Sequence, residues 1–369
     1  MIEDGQKNRN IFTRLHLDLP LLTAIILLCG LGLLFLYSAS GQDSGQVIRQ
    51  AIRIGIGFLG MFLLAQVNPD KLRFWSPALF AFASILLVIV LIEGQIGKGA
   101  QRWISLGFVR FQPSEIMKLA LPMMMAWYLV KEALPPTWDR ILIAGGLIIV
   151  PVLMIAKQPD LGTALLVGIS GLFVLFLGGL SWKLISGIAV VAIPSGWALW
   201  KWGMQEYQRD RVLTFLDPER DPLGTGYHII QSKIAIGSGG LYGKGWLNGT
   251  QSQLEFLPER TTDFIFAVIA EEFGFIGILI LLSLYLFIIL RGFYIAANGQ
   301  DSYSRLLAGA LIMVFFVYLF VNTGMVSGIL PVVGVPLPLV SYGGTSLVTI
   351  LSGFGILMSI HSHKKLMQT

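Results

Sequence analysis

Long runs of hydrophobic residues recur along the whole chain and are separated by short polar segments. Each run approaches the roughly 20 apolar residues that a helix needs to cross a membrane. A backbone in hydrocarbon must satisfy its own hydrogen bonds, so the runs are predicted to be α-helices. The ten predicted spans cover residues 19–38, 50–67, 74–92, 115–131, 140–157, 161–179, 182–200, 264–290, 305–325 and 339–360. The pattern therefore predicts a single all-α integral membrane domain over residues 1–369.

The composition agrees with a polytopic membrane protein. Hydrophobic residues make up 55% of the chain and charged residues 13%, against about 25% charged residues in soluble domains. The net charge of +5 comes from basic residues scattered between apolar runs, which is typical of membrane orientation and not of nucleic-acid binding. The single cysteine, Cys29, lies within an apolar run, which excludes an intrachain disulfide and a thiolate metal cluster.

The positions of lysine and arginine predict the orientation of the spans. An even number of spans puts both termini on one side of the membrane. With both termini in the cytoplasm, most Lys and Arg of the short connecting segments fall on the cytoplasmic side, as the positive-inside rule requires. Residues 201–263 then form one large extracytoplasmic loop between the seventh and eighth spans.

A glycine-rich stretch within this loop runs from Gly237 to Gly245. It does not match the Walker A pattern, because Lys244 is followed by Gly245 and not by Ser or Thr. It does not match GxGxxG either, because Tyr242 occupies the last position. The stretch predicts a turn, with a backbone cradle for phosphate as the alternative. The apolar residues between positions 227 and 236 predict a short helix at the membrane interface.

Charged residues in or beside the predicted spans are the first candidates for chemistry, because such charges are costly in a membrane. Glu115 and Lys118 are three positions apart in the fourth span, so they share a helical face and can pair. The pair has either a purely structural role or a functional one. Arg102 and Arg110 lie in a short outside loop, where topology does not favour positive charge. Their guanidinium groups suit a phosphate-bearing headgroup, of a substrate or of ordinary lipid.

Two aspartates stand at predicted span starts on the outer side of the membrane. Asp160 precedes the sixth span and is expected to cap its helix. Asp263 opens the eighth span, where Thr261 or Thr262 can provide the cap, so that the carboxylate is available at the membrane edge. A carboxylate beside an apolar wall is a serviceable general base for a hydroxyl group. A second helix cap is the alternative role for Asp263.

The last outside segment combines Pro331, Pro336 and Pro338 with Gly343 and Gly344. These residues break helices, so the segment predicts a discontinuous or re-entrant stretch that lines a cavity.

Five motifs in order along the chain resemble the SEDS family, named for shape, elongation, division and sporulation. They are Arg110-Phe111-Gln112-Pro113-Ser114-Glu115 with Lys118, Gln158-Pro159-Asp160-Leu161-Gly162-Thr163, Asp221-Pro222-Leu223-Gly224-Thr225-Gly226-Tyr227, Phe256-Leu257-Pro258-Glu259-Arg260 with Thr262-Asp263-Phe264-Ile265-Phe266-Ala267, and Pro338-Leu339-Val340-Ser341-Tyr342-Gly343-Gly344. The segment from Gly328 to Pro338 resembles the elongation branch of the family, the RodA type, more than the FtsW type.

This resemblance implies a peptidoglycan glycosyltransferase that joins lipid II units into glycan strands. Asp263 matches the aspartate regarded as catalytic in the family, and Arg110 and Lys118 match basic residues needed for function. The remaining substrate-binding candidates are Glu115, Asp160, Arg49, Arg102 and Arg211. A divalent cation, Mg²⁺ or Mn²⁺, is expected to neutralise the leaving group, and no organic cofactor is expected.

The resemblance also implies a location and partners. The expected location is the bacterial cytoplasmic membrane, with the active site facing the periplasm. The expected partners are a class B penicillin-binding protein, which is a PBP2-like transpeptidase, other elongation-complex proteins and membrane lipid, with no nucleic acid. Two alternatives remain open at this point: a transporter that flips lipid II, and a non-catalytic scaffold for a cell-wall synthase.

Overall fold

A computed structural model describes residues 15–97, 100–106, 109–204, 206–217, 225–254, 256–257 and 259–363. Most of the described chain is helical. The helices are α1 (Leu19–Ala39), α2 (Ser44–Ala65), α3 (Pro69–Glu93), α4 (Pro113–Leu129), α5 (Trp138–Ala156), α6 (Leu161–Leu177), α7 (Trp182–Ala198), α8 (Glu206–Leu216), α9 (Thr225–Gly239), α10 (Thr250–Gln253), α11 (Ile265–Ala297), α12 (Ser302–Val326) and α13 (Thr345–Ser362). A π-helical turn, Leu199–Gly203, follows α7.

Each of the ten predicted spans overlaps one helix among α1–α7 and α11–α13. Within the described residues, seven of these helices are long and apolar enough to cross a membrane: α1, α2, α3, α5, α11, α12 and α13. The other three, α4, α6 and α7, have 17 residues each. A helix of that length is about 26 Å long, slightly less than the roughly 30 Å of a hydrocarbon core. The multi-span helical architecture is confirmed, and ten crossings stay a prediction.

A small antiparallel sheet between α3 and α4 was not predicted by the sequence analysis. Its strands are β1 (Gln95–Gly97), β2 (Ala100–Leu106) and β3 (Val109–Phe111), in the order β1-β2-β3. Two of the strands have only three residues, too few for a period-two pattern to be recognised. The prediction that the chain is entirely α-helical therefore needs this one correction.

The segment 201–263 contains more regular structure than a loop. It holds α8, α9 and the single turn α10. The helix expected between residues 227 and 236 is present and extends from Thr225 to Gly239. These helices are short and contain polar residues, so a search for apolar spans of about 20 residues does not detect them.

The glycine-rich stretch docks onto a break in α11. Gly274, with φ 65° and ψ −163°, interrupts the helix. In a continuous helix the N–H groups of Phe275 and Ile276 would bond to the carbonyls of Glu271 and Glu272. Here those N–H groups donate to the carbonyls of residues 240 and 241, at 2.9 and 3.1 Å, and the two Glu carbonyls accept from the N–H groups of residues 244 and 245, at 3.0 and 2.9 Å.

We call residues 239–245 the glycine strap. The strap confirms the predicted turn, while two of its N–H groups bond to α11 and are not free to bind phosphate. Glycine is required where the two backbones meet. A Cβ atom on Gly243 would lie 2.1 Å from the carbonyl oxygen of Glu272, and the φ of Gly243 is +78°.

We expect Gly243→Ala to lower the free energy of unfolding by about 1–3 kcal/mol, because the added methyl group overlaps the α11 backbone. The matched control is Gly237→Ala, since a Cβ at Gly237 meets no atom within 4 Å. The control should gain about 0.5–1 kcal/mol, because alanine favours the helix. Thermal unfolding of the detergent-solubilised protein measures both variants. Equal stability of the two would contradict this account of the strap.

The segment between α12 and α13 is irregular and lies within the helical bundle. Leu337, Leu339 and Val340 are almost fully buried. Tyr285 of α11 donates its hydroxyl to the carbonyl of Pro338 at 2.6 Å. The predicted discontinuous segment is confirmed, while the cavity that it was expected to line stays a prediction. The predicted start of the last span at residue 339 is wrong: residues 339–344 are not helical, Leu339 has a φ of +66°, and the helix begins at Thr345.

The first and last described residues meet at one end of the bundle. The ring of His16 stacks on the ring of His363, with centroids 3.9 Å apart. Asp18 forms an ion pair with Arg291 at 2.6 Å, and its carboxylate lies 3.2 Å from Nε2 of His361. We call this the terminal end. The opposite end, at which α4, α6, α11 and α13 begin, is the functional end.

Candidate active site

The backbone before α11 is held by three consecutive carbonyl groups at the functional end. The carbonyl of Thr261 accepts a hydrogen bond from the N–H of Tyr342 at 2.8 Å. The carbonyl of Thr262 accepts one from the hydroxyl of Ser341. The carbonyl of Asp263 accepts one from Nδ2 of Asn322 at 2.8 Å. Asp263 is thus fixed to the irregular segment and to α12.

The carboxylate of Asp263 lies against Gly334 of the irregular segment. Its Oδ2 atom is 3.5 Å from the position that a Cβ atom on Gly334 would occupy, and Gly334 has a φ of +76°. The predicted capping by Thr261 or Thr262 is wrong. The N-cap residue of α11 is Phe264, which makes no side-chain cap, and the hydroxyl of Thr262 bonds to Glu259 instead.

Asp160 approaches the same segment from α6. The carbonyl oxygen of Val333 lies 2.9 Å from the position that a Cβ atom on Gly162 would occupy. The helix α6 and the irregular segment are therefore in close contact two residues after Asp160. Asp160 caps α6 as predicted, accepting from the N–H of Thr163 at 3.2 Å. Its Oδ2 atom also accepts from the side-chain amide of Gln112 at 2.9 Å.

Two of the arginine candidates have protein partners. The Nε atom of Arg102 lies 3.6 Å from Oδ2 of Asp160, and its guanidinium also donates to the carbonyl of Pro159. Arg49 forms an exposed ion pair with Asp43 at 3.7 Å. Arg49 therefore stays accessible to a headgroup, whereas Arg102 already stabilises the start of α6.

Glu115 and Lys118 form the predicted pair. Nζ of Lys118 lies 2.8 Å from Oε1 of Glu115, and both side chains are almost fully buried. The ammonium group also donates to the hydroxyl of Tyr318 on α12. Lys118 and Tyr318 border a mostly apolar cavity between α4, α12 and α13. Lys118, paired with Glu115, thus lies at the edge of this cavity.

The two remaining arginine candidates are described only through their backbones. Arg110 pairs with Ser105 between β3 and β2, three residues before α4 begins. Arg211 lies within α8. Both side chains fall outside the described part of the structure, so the roles expected for them stay predictions.

Comparisons with known proteins place this geometry in a family. A family model for cell cycle proteins, built on FtsW, RodA and SpoVE, matches residues 19–366. The chain belongs to the SEDS family. Among SEDS relatives, the peptidoglycan glycosyltransferase MrdB of Escherichia coli K12 is 56% identical over 365 residues, covering 99% of this chain and 98% of that protein. The membership expected from the five motifs is confirmed.

Solved structures of other proteins share the fold. A chain from a study of how a peptidoglycan synthase complex coordinates polymerization and crosslinking has a TM-score of 0.83 and 34% identity, covering 94% of this chain and 99% of that chain. The rod shape determining protein RodA of Thermus thermophilus has a TM-score of 0.71 and 30% identity, covering 94% and 98% of the two chains.

Several polar residues of this SEDS site were missed by the sequence analysis. Asn322 and Tyr318 on α12 contact Asp263 and Lys118 respectively. Gln50 donates to the carbonyl of Ser341 at 3.1 Å. A polar side chain within a predicted span is a recognisable signal, and it would have marked Asn322. The contacts themselves join residues far apart in sequence and leave no local pattern.

His228 is a further polar group near Asp263. Its ring stacks on Phe264, with centroids 5.6 Å apart. Burial lowers the pKa of His228 below its usual range, and the charge of Glu259 opposes this shift. The neutral imidazole is therefore the favoured form at neutral pH.

Proposed function

We propose that the chain polymerises lipid II into glycan strands, with Asp263 as the general base. The observation that carries this proposal is the placement of Asp263. Its carboxylate borders the irregular segment at Gly334, and its backbone is fixed by Asn322. The E. coli relative is named a peptidoglycan glycosyltransferase, which supports the same activity here.

In the proposed reaction, the 4-hydroxyl oxygen of the acceptor sugar attacks the anomeric carbon of the donor sugar. The bond from that carbon to the pyrophosphate of the lipid breaks, and the configuration at the carbon inverts. Asp263 takes the proton of the attacking hydroxyl as the new glycosidic bond forms. A base positioned in this way contributes typically about 10²–10⁴-fold to a rate.

The leaving pyrophosphate needs positive charge nearby. We assign this role first to Lys118 and Arg110, with Arg49, Arg102 and Arg211 as weaker candidates and with Glu115 and Asp160 orienting the cations. The ion pairs of Lys118 with Glu115 and of Arg102 with Asp160 support the orienting role.

Among the described residues, no group of three or more His, Cys, Asp or Glu side chains can hold a metal ion. No proposed step depends on Mg²⁺ or Mn²⁺, and the expected divalent cation stays a prediction.

We further propose ten spans in the bacterial cytoplasmic membrane, with the terminal end in the cytoplasm and the functional end at the periplasmic face. The meeting of residues 16 and 363 supports an even number of crossings. The proposed partner is a class B penicillin-binding protein that cross-links the new strand, within an elongation complex. The structural likeness to a chain of a peptidoglycan synthase complex supports such a partner.

Purified protein with labelled lipid II distinguishes this proposal from its alternatives. We expect glycan strands of several lengths on a gel, with and without the cognate transpeptidase. A flippase would instead move labelled lipid II between the leaflets of a vesicle without forming strands. A scaffold would do neither alone and would alter only the partner's activity. Either of the last two outcomes would contradict the proposed function.

A further inference from the structure

Asn322 is an amide side chain buried inside the helical bundle, on the α12 span. It is fully inaccessible to solvent. Its Nδ2 atom donates to two carbonyl oxygens, those of Asp263 and Val335, each at 2.8 Å. Both partners are acceptors, so the amide nitrogen must be the atom that faces them. The Oδ1 atom is buried and has no hydrogen-bond partner within the described residues.

The two carbonyls belong to two backbone segments. One segment carries the proposed base, and the other borders its carboxylate. Asp263 lies on one of them, and Val335 lies on the other, directly after Gly334. The Oδ2 atom of Asp263 is near the Cβ position of Gly334, at 3.5 Å. One amide group therefore fixes the spacing between the residue that bears the carboxylate and the backbone that borders it.

The same helix also holds the buried cation. Tyr318 lies four residues before Asn322 on α12 and accepts a hydrogen bond from Lys118. One turn of helix separates the two contacts by about 6 Å. The same helix thus contacts both the backbone of Asp263 and the ammonium group of Lys118.

We infer that Asn322 is a positioning residue for the glycosyl transfer, acting through Asp263; this inference rests on the proposed function. The amide nitrogen donates to both backbone segments, while the amide oxygen has no hydrogen-bond partner among the residues that the structure describes. A displacement of about 1 Å in a reacting group can cost on the order of 100-fold in rate. The loss of Asn322 should therefore slow the chemical step more than it weakens substrate binding.

The test compares wild type with Asn322→Leu, which has a similar size and no donor. The matched control is Thr323→Val, because the hydroxyl of Thr323 bonds to carbonyls of its own helix, at Leu319 and Phe320. We expect kcat for lipid II polymerisation to fall about 10- to 100-fold in Asn322→Leu, with KM changed less than about 3-fold. Thr323→Val should match wild type in both quantities.

Should Asn322→Leu fail to fold, Asn322→Ser retains one donor and is expected to lose rate in the same manner. Hydrogen exchange provides a readout that does not depend on activity. Peptides spanning residues 261–264 and 333–336 should exchange faster in the variant, while those of α13 should not change. A folded variant with wild-type kcat, or with unchanged exchange in both peptides, would overturn the inference. If wild type forms no strands, the proposed function fails, and the exchange result still decides whether Asn322 joins the two segments.

Discussion

Asp263→Asn is expected to reduce lipid II polymerisation by at least about 100-fold, because an amide cannot accept the proton of the attacking hydroxyl. The substitution preserves the size of the side chain. It also keeps the backbone carbonyl that Asn322 binds, so the fold around residue 263 should survive. The measurement is the initial rate of strand formation by the purified variant, with and without the transpeptidase.

The control for this loss is another aspartate on a described helix terminus. Asp301 caps α12 through the N–H of Ser304 at 3.4 Å, at the other end of that helix from Asn322. Asp301→Asn retains a capping oxygen and should polymerise at the wild-type rate. Both variants should melt within a few degrees of wild type. A folded Asp263→Asn protein with full activity would reject Asp263 as the base.

Lys118→Met is expected to destabilise the protein by about 3–5 kcal/mol, because it leaves a buried carboxylate without its cation. Glu115 and Lys118 are both buried, and their charged atoms are 2.8 Å apart. The reverse single variant, Glu115→Gln, should be costly for the same reason. Chemical unfolding of the detergent-solubilised variants gives these free energies.

The double variant Glu115→Gln/Lys118→Met separates folding from substrate binding. Replacing both members of a buried pair costs much less than replacing one, so the double variant should regain most of the lost stability. If Lys118 neutralises the pyrophosphate, polymerisation stays low in this stable protein. Restored activity together with restored stability would make the pair purely structural.

The parts of the fold that depend on local sequence were predictable. The hydrophobic runs gave the helices, and the three-residue spacing of Glu115 and Lys118 gave their ion pair. The cap of Asp160 on α6 was also predicted from its position before a hydrophobic run. Each of these features is encoded by residues that are close together in sequence.

The assembly of the site was not predictable in the same way. Thr261 bonds to Tyr342 and Asp263 to Asn322, and these partners lie tens of residues apart in the chain. Arg102 and Asp160 are separate candidates in the sequence, and the structure joins them in one ion pair. A single sequence contains no record of which distant polar groups meet. Only the three-dimensional structure reveals these contacts.

The glycine strap contacts α11 through main-chain atoms on both sides of Gly274. Hydrogen bonds between backbones do not depend on which side chain a residue carries. Leu241 and Tyr242 consequently project into the surroundings, with 63% and 80% of their surface exposed. Substitutions at these two positions therefore change the surface that the strap presents and leave its backbone attachment to the broken helix in place.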